Sequence, residues 1–153
     1  LETGAVIGGE SSGGLTVRGH IQGKDGIYAA ALLVEMLATT GRSLSELYRE
    51  ITDQCGQFEM VERGYRFSQE EKERIHRTLR EDKRRPVCGG VGGGGCYADG
   101  CKVYFRDGGW VVARFSGTEP LLRVFCEMDS EERAAEAAGH MEKFLGLTGR
   151  NIE

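Results

Sequence analysis

Residues 102–128 read KVYFRDGGWVVARFSGTEPLLRVFCEM, and this stretch decides the fold. Its apolar residues fall into three groups of strand length, at 102–106, 110–115 and 121–128. The Asp-Gly-Gly triplet at 107–109 is typical of a hairpin turn, because glycine adopts the positive φ angles that such turns require. Alternate residues of the last group share one apolar face: Leu122, Val124, Cys126 and Met128. The stretch therefore predicts three consecutive strands of a sheet with one buried face.

The flanking segments complete an α+β unit. Residues 58–67 mix aromatic and alternating apolar residues and predict a further strand. Residues 68–71 read SQEE, a capping box that opens a helix predicted to run to about Arg85. A last helix is predicted to begin at 129–130 and to end at Gly146. We therefore predict a four-stranded, mostly antiparallel sheet with helices on one face.

A glycine-rich segment lies between this helix and the three strands. Six of the seven residues at 89–95 are glycine, and no Gly-Lys-Ser/Thr follows them, which argues against a Walker phosphate loop. Glycine loses more backbone entropy on ordering than any other residue. We therefore predict a mobile loop without a ligand role.

Two helices are predicted in the first third of the chain. Asp25 is placed to cap a helix over 27–38, which is apolar on nearly every face and is therefore expected to be buried. Residues 43–46 read SLSE, a second capping box, and open another helix. The best candidate for a domain boundary follows at 52–57.

Composition and charge exclude several classes of protein. Apolar residues make up 39% and charged residues 29% of the 153, which is typical of a soluble globular chain. Its 20 Lys and Arg against 24 Asp and Glu give a net charge of -4, so nucleic acid and membrane surfaces are not expected partners. The basic run at 80–85 is interpreted as the solvated end of a helix. Five cysteines without a C-x-x-C spacing predict free thiols, a cytoplasmic location and no metal site.

The strongest chemical signal is RFSGTEPLLR at 114–123, between two predicted strands. An arginine offers a planar fork for two oxygens of an anion, and Ser and Thr hydroxyls can donate to others. A glycine between them lets backbone N–H groups approach a ligand closely. The residue chemistry alone leaves open whether this is a phosphate site or an ordinary polar loop.

A second signal is GESSG at 9–13, where a carboxylate and hydroxyls lie among glycines. This composition suits the binding of sugar hydroxyls. It also fits the G-x-S-x-G nucleophile elbow of esterases, which must run from a strand directly into a helix. Residues 15–17 look like a strand instead, which disfavours the esterase hypothesis.

Together the two segments resemble the α-D-phosphohexomutases, a family that contains phosphoglucomutases and phosphomannomutases. GESSGGLTVRGH at 9–20, with GKDG at 23–26, is similar to the family's sugar-binding loop, and 114–123 to its phosphate-binding loop. The resemblance implies that residues 1–51 are the C-terminal part of the third, sugar-binding α/β domain. It implies that residues 57–153 are the complete fourth, phosphate-binding domain.

The same resemblance implies an activity: phosphate would move between O1 and O6 of a hexose phosphate through a bisphosphorylated sugar. Glu10 and Ser12 would bind sugar hydroxyls, and Lys24 and His20 are candidate active-site residues. The implied phosphate-binding residues are Arg114, Ser116, Gly117, Thr118 and Arg123. The family's catalytic phosphoserine, its Mg²⁺ and the aspartates that hold the metal are expected in domains outside these residues. The chain alone is therefore expected to be inactive as a mutase.

Two positions bear on the preferred hexose. Family members often have Glu, Gln or Met where this chain has Ser11, so that position does not identify the sugar. Gly14 lies where a His is typical of the glucosamine-specific branch, which favours glucose or mannose as the hexose.

A function from another class stays open: a free-standing sugar-phosphate or anion-binding module without catalysis. A chain that begins at Leu1, without Met, is more typical of a piece of a longer protein, whose missing N-terminal domains would then be its partners together with the hexose phosphate. Because the apolar helix over 27–38 would lack most of its sheet, residues 1–51 are expected to self-associate or to be mobile.

Overall fold

The computed structural model divides the chain into two compact units, one ending at Gly56 and the other beginning at Gln57. None of the described helices is long and apolar enough to cross a membrane. The described residues, with only the backbone considered at 91–93, are 4–10, 13–84, 86, 91–97, 100–117 and 120–152.

The first unit contains a short hairpin and two helices. Strands β1 (Ile7–Gly9) and β2 (Leu15–Val17) pair antiparallel, with Gly8 opposite Thr16. Helix α1 (Gly26–Thr40) begins where the Asp25 carboxylate accepts hydrogen bonds from the N–H groups of Ile27 and Tyr28, as its sequence predicts. Helix α2 (Leu44–Cys55) begins with the predicted capping box of Ser43 and Glu46.

The expectation that α1 is buried is wrong. None of the described side chains of this helix is buried, and Ile27 is 86% and Val34 65% exposed. An apolar helix buries its surface only where another layer covers it, and within residues 4–10 and 13–56 the structure shows only the short β1–β2 hairpin and α2 besides.

The second unit is built on an antiparallel sheet of five strands in the order β3-β7-β6-β5-β4. Its strands are β3 (Glu59–Arg66), β4 (Val91–Cys96), β5 (Cys101–Phe105), β6 (Trp110–Phe115) and β7 (Leu121–Met128). The predicted hairpin joins β5 to β6, and the Phe105 N–H donates to the Gly109 carbonyl at 3.2 Å. Gly109 has a φ of 80°, and a Cβ there would lie 2.5 Å from the Glu127 carbonyl oxygen, so only glycine fits this turn.

Two sequence predictions about this sheet are wrong. The sheet has five strands rather than four, and the extra strand is β4, formed by most of the glycine-rich segment that was predicted to be a mobile loop. Backbone N–H and C=O groups make the hydrogen bonds of a sheet, so a strand can pair without large side chains. The pairing with β5 is irregular between Val91 and Gly95. Gly89 and Gly90 lie outside the described residues.

The helices of the second unit share one hydrophobic core with the sheet. Helix α3 (Gln69–His76) starts at the predicted capping box of Ser68 and Glu71 and continues as a π-helical segment, Arg77–Glu81. The prediction that this helix runs to about Arg85 is therefore a few residues too long. Helix α4 (Glu131–Leu145) is capped by Ser130 and ends at Gly146 with a φ of 71°. Fully buried members of the core include Ile75, Val111, Leu122, Val124, Met141 and Leu145.

The buried carboxylate of Glu142 on α4 is hydrogen-bonded to two side chains of β3. Glu142 is 7% exposed, and one of its carboxylate oxygens accepts a hydrogen bond from Arg63 Nη1 at 2.6 Å and another from the Tyr65 hydroxyl. Burial, with the hydrogen bond to Glu142, raises the pKa of Tyr65. The hydrogen bond to the same carboxylate raises the pKa of Arg63. The carboxylate is thus satisfied by partners that are distant in sequence.

Candidate functional site

The loop between β6 and β7 is anchored at both of its ends. The Ser116 N–H donates to the Leu121 carbonyl at 2.8 Å, which extends the antiparallel pairing one step beyond β6. Gly117 is exposed, and a Cβ at this position would meet nothing within 4 Å. Thr118 lies outside the described residues. The space above the Gly117 backbone is therefore open to a ligand.

Two arginines flank this loop as a cross-strand pair. The strand register places Arg114 directly opposite Arg123, so the two side chains leave the same face of the sheet. Each is half-buried. That face is the one opposite the core, because the neighbours Ala113, Leu122 and Val124 are fully buried on the other face.

Neighbouring residues position both guanidinium groups. Arg123 forms an ion pair with Glu62 at 2.5 Å. The Arg114 guanidinium carbon lies 5.6 Å from the ring centre of Phe125, which is diagonal to it across the strands. Gly100 packs against the backbone of the same arginine, since a Cβ there would lie 2.3 Å from the Ala113 carbonyl oxygen and 2.9 Å from Arg114 Cβ. Glycine at 100 thus lets β6 hold Arg114 in place.

This arrangement has the chemistry of an anion site. The cross-strand pair places two guanidinium groups on one face of the sheet, and an anion beside them can accept charge-assisted hydrogen bonds from both. A phosphate could accept hydrogen bonds from the guanidinium groups, the Ser116 hydroxyl and backbone N–H groups of the open loop. The described structure therefore brings together four of the five predicted phosphate-binding residues: Arg114, Ser116, Gly117 and Arg123.

In the first unit, the loop between β1 and β2 places a carboxylate beside an ammonium group. The Glu10 N–H donates to the Gly14 carbonyl at 3.0 Å, and the Gly13 N–H donates to the Glu10 carbonyl at 3.0 Å, so the loop is tight. Lys24 Nζ forms an ion pair with the Glu10 carboxylate. Ser12 lies outside the described residues. Two of the residues assigned to sugar binding or to the active site thus contact each other.

His20 is held in a fixed orientation near the start of α1. Its Nε2 lies 2.9 Å from Asp25 Oδ2, and its ring stacks on that of Tyr28 with the ring centres 3.9 Å apart. The hydrogen bond with His20, followed by that from the Tyr28 N–H, lowers the pKa of Asp25 below its ordinary value. Asp25 therefore orients the imidazole with one carboxylate oxygen while it caps the helix with the other.

A cleft of about 530 Å³ lies next to these groups, within the first unit. It is lined by parts of β1 and β2 and by residues 18–24, including His20 and Lys24. A volume of this size is within the range of small-molecule pockets. The cleft therefore offers room for a sugar beside Lys24.

A metal site needs several ligating side chains close together. Among the described residues, no group of three or more His, Cys, Asp or Glu side chains could hold a metal ion. The described part of the chain thus offers no ligand set for the Mg²⁺, which the family resemblance assigns to domains outside these residues.

Sequence reasoning missed several residues that position these groups. Asp25 was predicted only as a helix cap, and nothing local connects Glu62 to Arg123, which is far away in sequence. The pairing of β3 with β7 brings these two together. The sequence does not indicate that Gly100 packs against β6, beyond showing that the residue is a glycine. The contacts of Glu62 and Gly100 depend on strand pairing, whereas the contact of Asp25 with His20 lies within one loop.

Comparison with known protein families matches two separate segments. Residues 1–55 match the model "Phosphoglucomutase/phosphomannomutase, alpha/beta/alpha domain III". Residues 70–144 match "Phosphoglucomutase/phosphomannomutase, C-terminal domain". The two matches follow each other along the chain and cover most of it.

Curated relatives carry two different names. A phosphoglucomutase/phosphomannomutase of Thermococcus kodakarensis is 35% identical over 89% of this chain and 27% of its own length. A probable phosphoglucosamine mutase of Methanopyrus kandleri is 36% identical over 99% of this chain and 31% of its own length. The chain thus spans less than a third of the length of these relatives.

Solved structures share the fold. A phosphoglucomutase/phosphomannomutase family protein of Burkholderia thailandensis superimposes with a TM-score of 0.67 at 22% identity, over 99% of this chain and 31% of the other. The open form of the Paramecium phosphoprotein parafusin, a phosphoglucomutase, matches with a TM-score of 0.58 at 16% identity, over 92% of this chain and 30% of the other.

Proposed function

Because the chain belongs to the phosphoglucomutase/phosphomannomutase family, we propose that its full-length protein moves phosphate between O1 and O6 of a hexose phosphate, with glucose or mannose as the hexose. The observation that carries this proposal is the cross-strand pair of Arg114 and Arg123 at the open β6–β7 loop. In this proposal the loop binds the phosphate group that is not reacting.

The β1–β2 loop would bind the sugar of the same substrate. The Glu10 carboxylate can accept hydrogen bonds from sugar hydroxyls, and the Lys24 ammonium can donate to hydroxyl or phosphate oxygens. His20, oriented by Asp25, is a further candidate contact. In this proposal the β1–β2 loop contributes to binding the sugar and the β6–β7 loop contributes to binding a phosphate group.

Catalysis itself would depend on parts of the protein beyond these residues. We propose that the phosphoserine and the Mg²⁺ site belong to the N-terminal domains, and that the enzyme works in the cytoplasm. The chain alone would bind a sugar phosphate without turning it over. A non-catalytic binding module remains the alternative, and the upstream sequence, with or without a serine loop and an aspartate motif, separates the two.

The test is a mutase assay on the full-length protein. Conversion of glucose 1-phosphate to glucose 6-phosphate should lose about tenfold or more in kcat/KM when Arg114→Ala removes a charge-assisted hydrogen-bond donor. Arg84→Ala is the matched control, because Arg84 is exposed near the end of the π-helical segment, and it should leave kcat/KM nearly unchanged. Equal losses in both variants would indicate diffuse charge attraction and would count against the site.

A further inference from the structure

The C-terminal tail, residues 147–152, runs from the end of α4 to the edge of β3. Strand β3 is the first strand of the sheet, so one of its edges faces away from β7. Leu147 is fully buried in the core and anchors the start of the tail. The Arg150 N–H donates to the Leu147 carbonyl at 3.1 Å, which closes a turn between these residues. The residues after this turn reach the outer edge of β3.

Three hydrogen bonds join the tail to the backbone of β3. The Gly64 N–H donates to Asn151 Oδ1 at 3.1 Å, and the Ile152 N–H donates to the Gly64 carbonyl at 3.0 Å. Arg150 Nη2 donates to the Arg66 carbonyl at 3.2 Å. An edge strand leaves every other backbone group without a strand partner. The tail thus supplies partners for backbone groups of β3 that no strand pairs.

The two β3 residues bound by the tail lie opposite the exit of the β6–β7 loop. The strand register places Gly64 opposite Arg123 and Arg66 opposite Leu121, the first residue of β7. The Leu121 carbonyl in turn accepts the hydrogen bond from the Ser116 N–H that anchors the loop. Paired backbone segments therefore lead without a break from the tail, through β3 and β7, to the candidate phosphate site.

We propose that Asn151 is a positioning residue for the phosphate site, acting through β3 on the exit of the β6–β7 loop. This inference rests on the proposed function of that loop in phosphate binding. Strand ends open locally when their backbone groups lack partners, and Asn151 keeps the end of β3 closed against β7. A loop that is held at its exit has less conformational freedom to lose when an anion binds. The Asn151 side chain itself does not touch the phosphate.

The test is an amide-shift titration of the 153-residue chain with inorganic phosphate, which leaves sugar contacts out of the measurement. Asn151→Leu removes the acceptor of the Gly64 N–H and should raise the dissociation constant about fivefold or more, as expected for coupled neighbours. Asn151→Asp keeps an acceptor at this position and should stay within about twofold of wild type. Thr148→Ala, an exposed position earlier in the tail, is the matched control and should bind like wild type.

A second measurement uses the wild-type chain alone. Because coupling between two sites is reciprocal, saturating phosphate should slow hydrogen exchange of the Gly64 amide by about the factor that Asn151→Leu costs in affinity. A tail with only a structural role would leave this rate unchanged. Unchanged exchange, or an Asn151→Leu variant with wild-type affinity, would overturn this inference while leaving the proposed function intact. Equal losses in Asn151→Leu and Asn151→Asp would also overturn it. If the wild-type chain does not bind phosphate, the proposed site itself fails.

Discussion

Helices α1 and α4 are both fifteen residues long, yet they have opposite environments. Helix α4 buries six of its residues in the core of the second unit, including Met141 and Leu145. Helix α1 is the more apolar in sequence and buries none of its described residues. The comparison shows that apolar composition gives a helix the capacity to be buried, whereas burial itself requires a covering layer.

The same contrast extends to the two units as wholes. Every buried residue described in the chain belongs to the second unit, where a five-stranded sheet provides the covering layer. The described part of the first unit consists of two helices and a hairpin whose two strands have three residues each. Since the chain spans less than a third of its relatives' length, we propose that other parts of the full-length protein cover α1.

Amide hydrogen exchange should show the largest difference between the two units. Amides of α4 should exchange about a thousandfold or more slowly than those of α1, after correction for intrinsic rates, because a core helix opens only with the whole unit. Measurements at low and high protein concentration test the predicted self-association, which would slow exchange in α1 only at high concentration. Equal protection of both helices in dilute solution would contradict this account.

A smaller effect is expected when the buried ion pair of the second unit is broken. Glu142→Ala leaves the Arg63 guanidinium and the Tyr65 hydroxyl without their shared acceptor, which should lower the free energy of unfolding by about 2–4 kcal/mol. Urea unfolding followed by the fluorescence of Trp110, the chain's single tryptophan, reports on this unit. Glu136→Ala, on the exposed face of α4, is the control and should change stability by less than about 0.5 kcal/mol. Similar losses in the two variants would mean that the ion pair has no special role.

The smallest effect is a pH dependence at the start of α3. The hydrogen bond from Arg150, followed by that from the Ser68 N–H, lowers the pKa of Glu71 from 4.5 to about 2. Because the folded-state pKa is the lower one, this carboxylate stabilises the fold above pH 4.5, and the contribution is lost as the pH falls toward 2. Thermal melts between pH 2 and 7 should therefore show a steeper acid loss for wild type than for Arg150→Gln. Parallel curves would refute the assignment.

Local signals in the sequence predicted the ends of most elements. The caps at Asp25, Ser43 and Ser68, and the glycine that ends α4, depend on residues within a few positions of one another. The three strands from 101 to 128 were predicted for the same reason, since alternation and turn residues are local patterns. Such signals act before any tertiary contact forms.

The features that were missed depend on tertiary contacts. Strand β4 has almost no side chains to give a pattern, and only its pairing with β5 makes it a strand. Glu142 interrupts an apolar stripe, and its partners come from β3. At the candidate site, the motif predicts a set of phosphate-binding residues, whereas the strand register alone places Arg114 opposite Arg123. The ion pair between Lys24 and Glu10 likewise follows from the fold of the hairpin.

An amide-shift titration of the 153-residue chain with glucose 1-phosphate tests most directly whether the β6–β7 loop is a preformed phosphate site. The amides of 116–118 should move at millimolar ligand, and Arg114→Ala should weaken this binding about tenfold or more while Arg84→Ala does not. If those amides stay unmoved in the wild-type chain, the loop does not bind phosphate and the proposed function loses its main support.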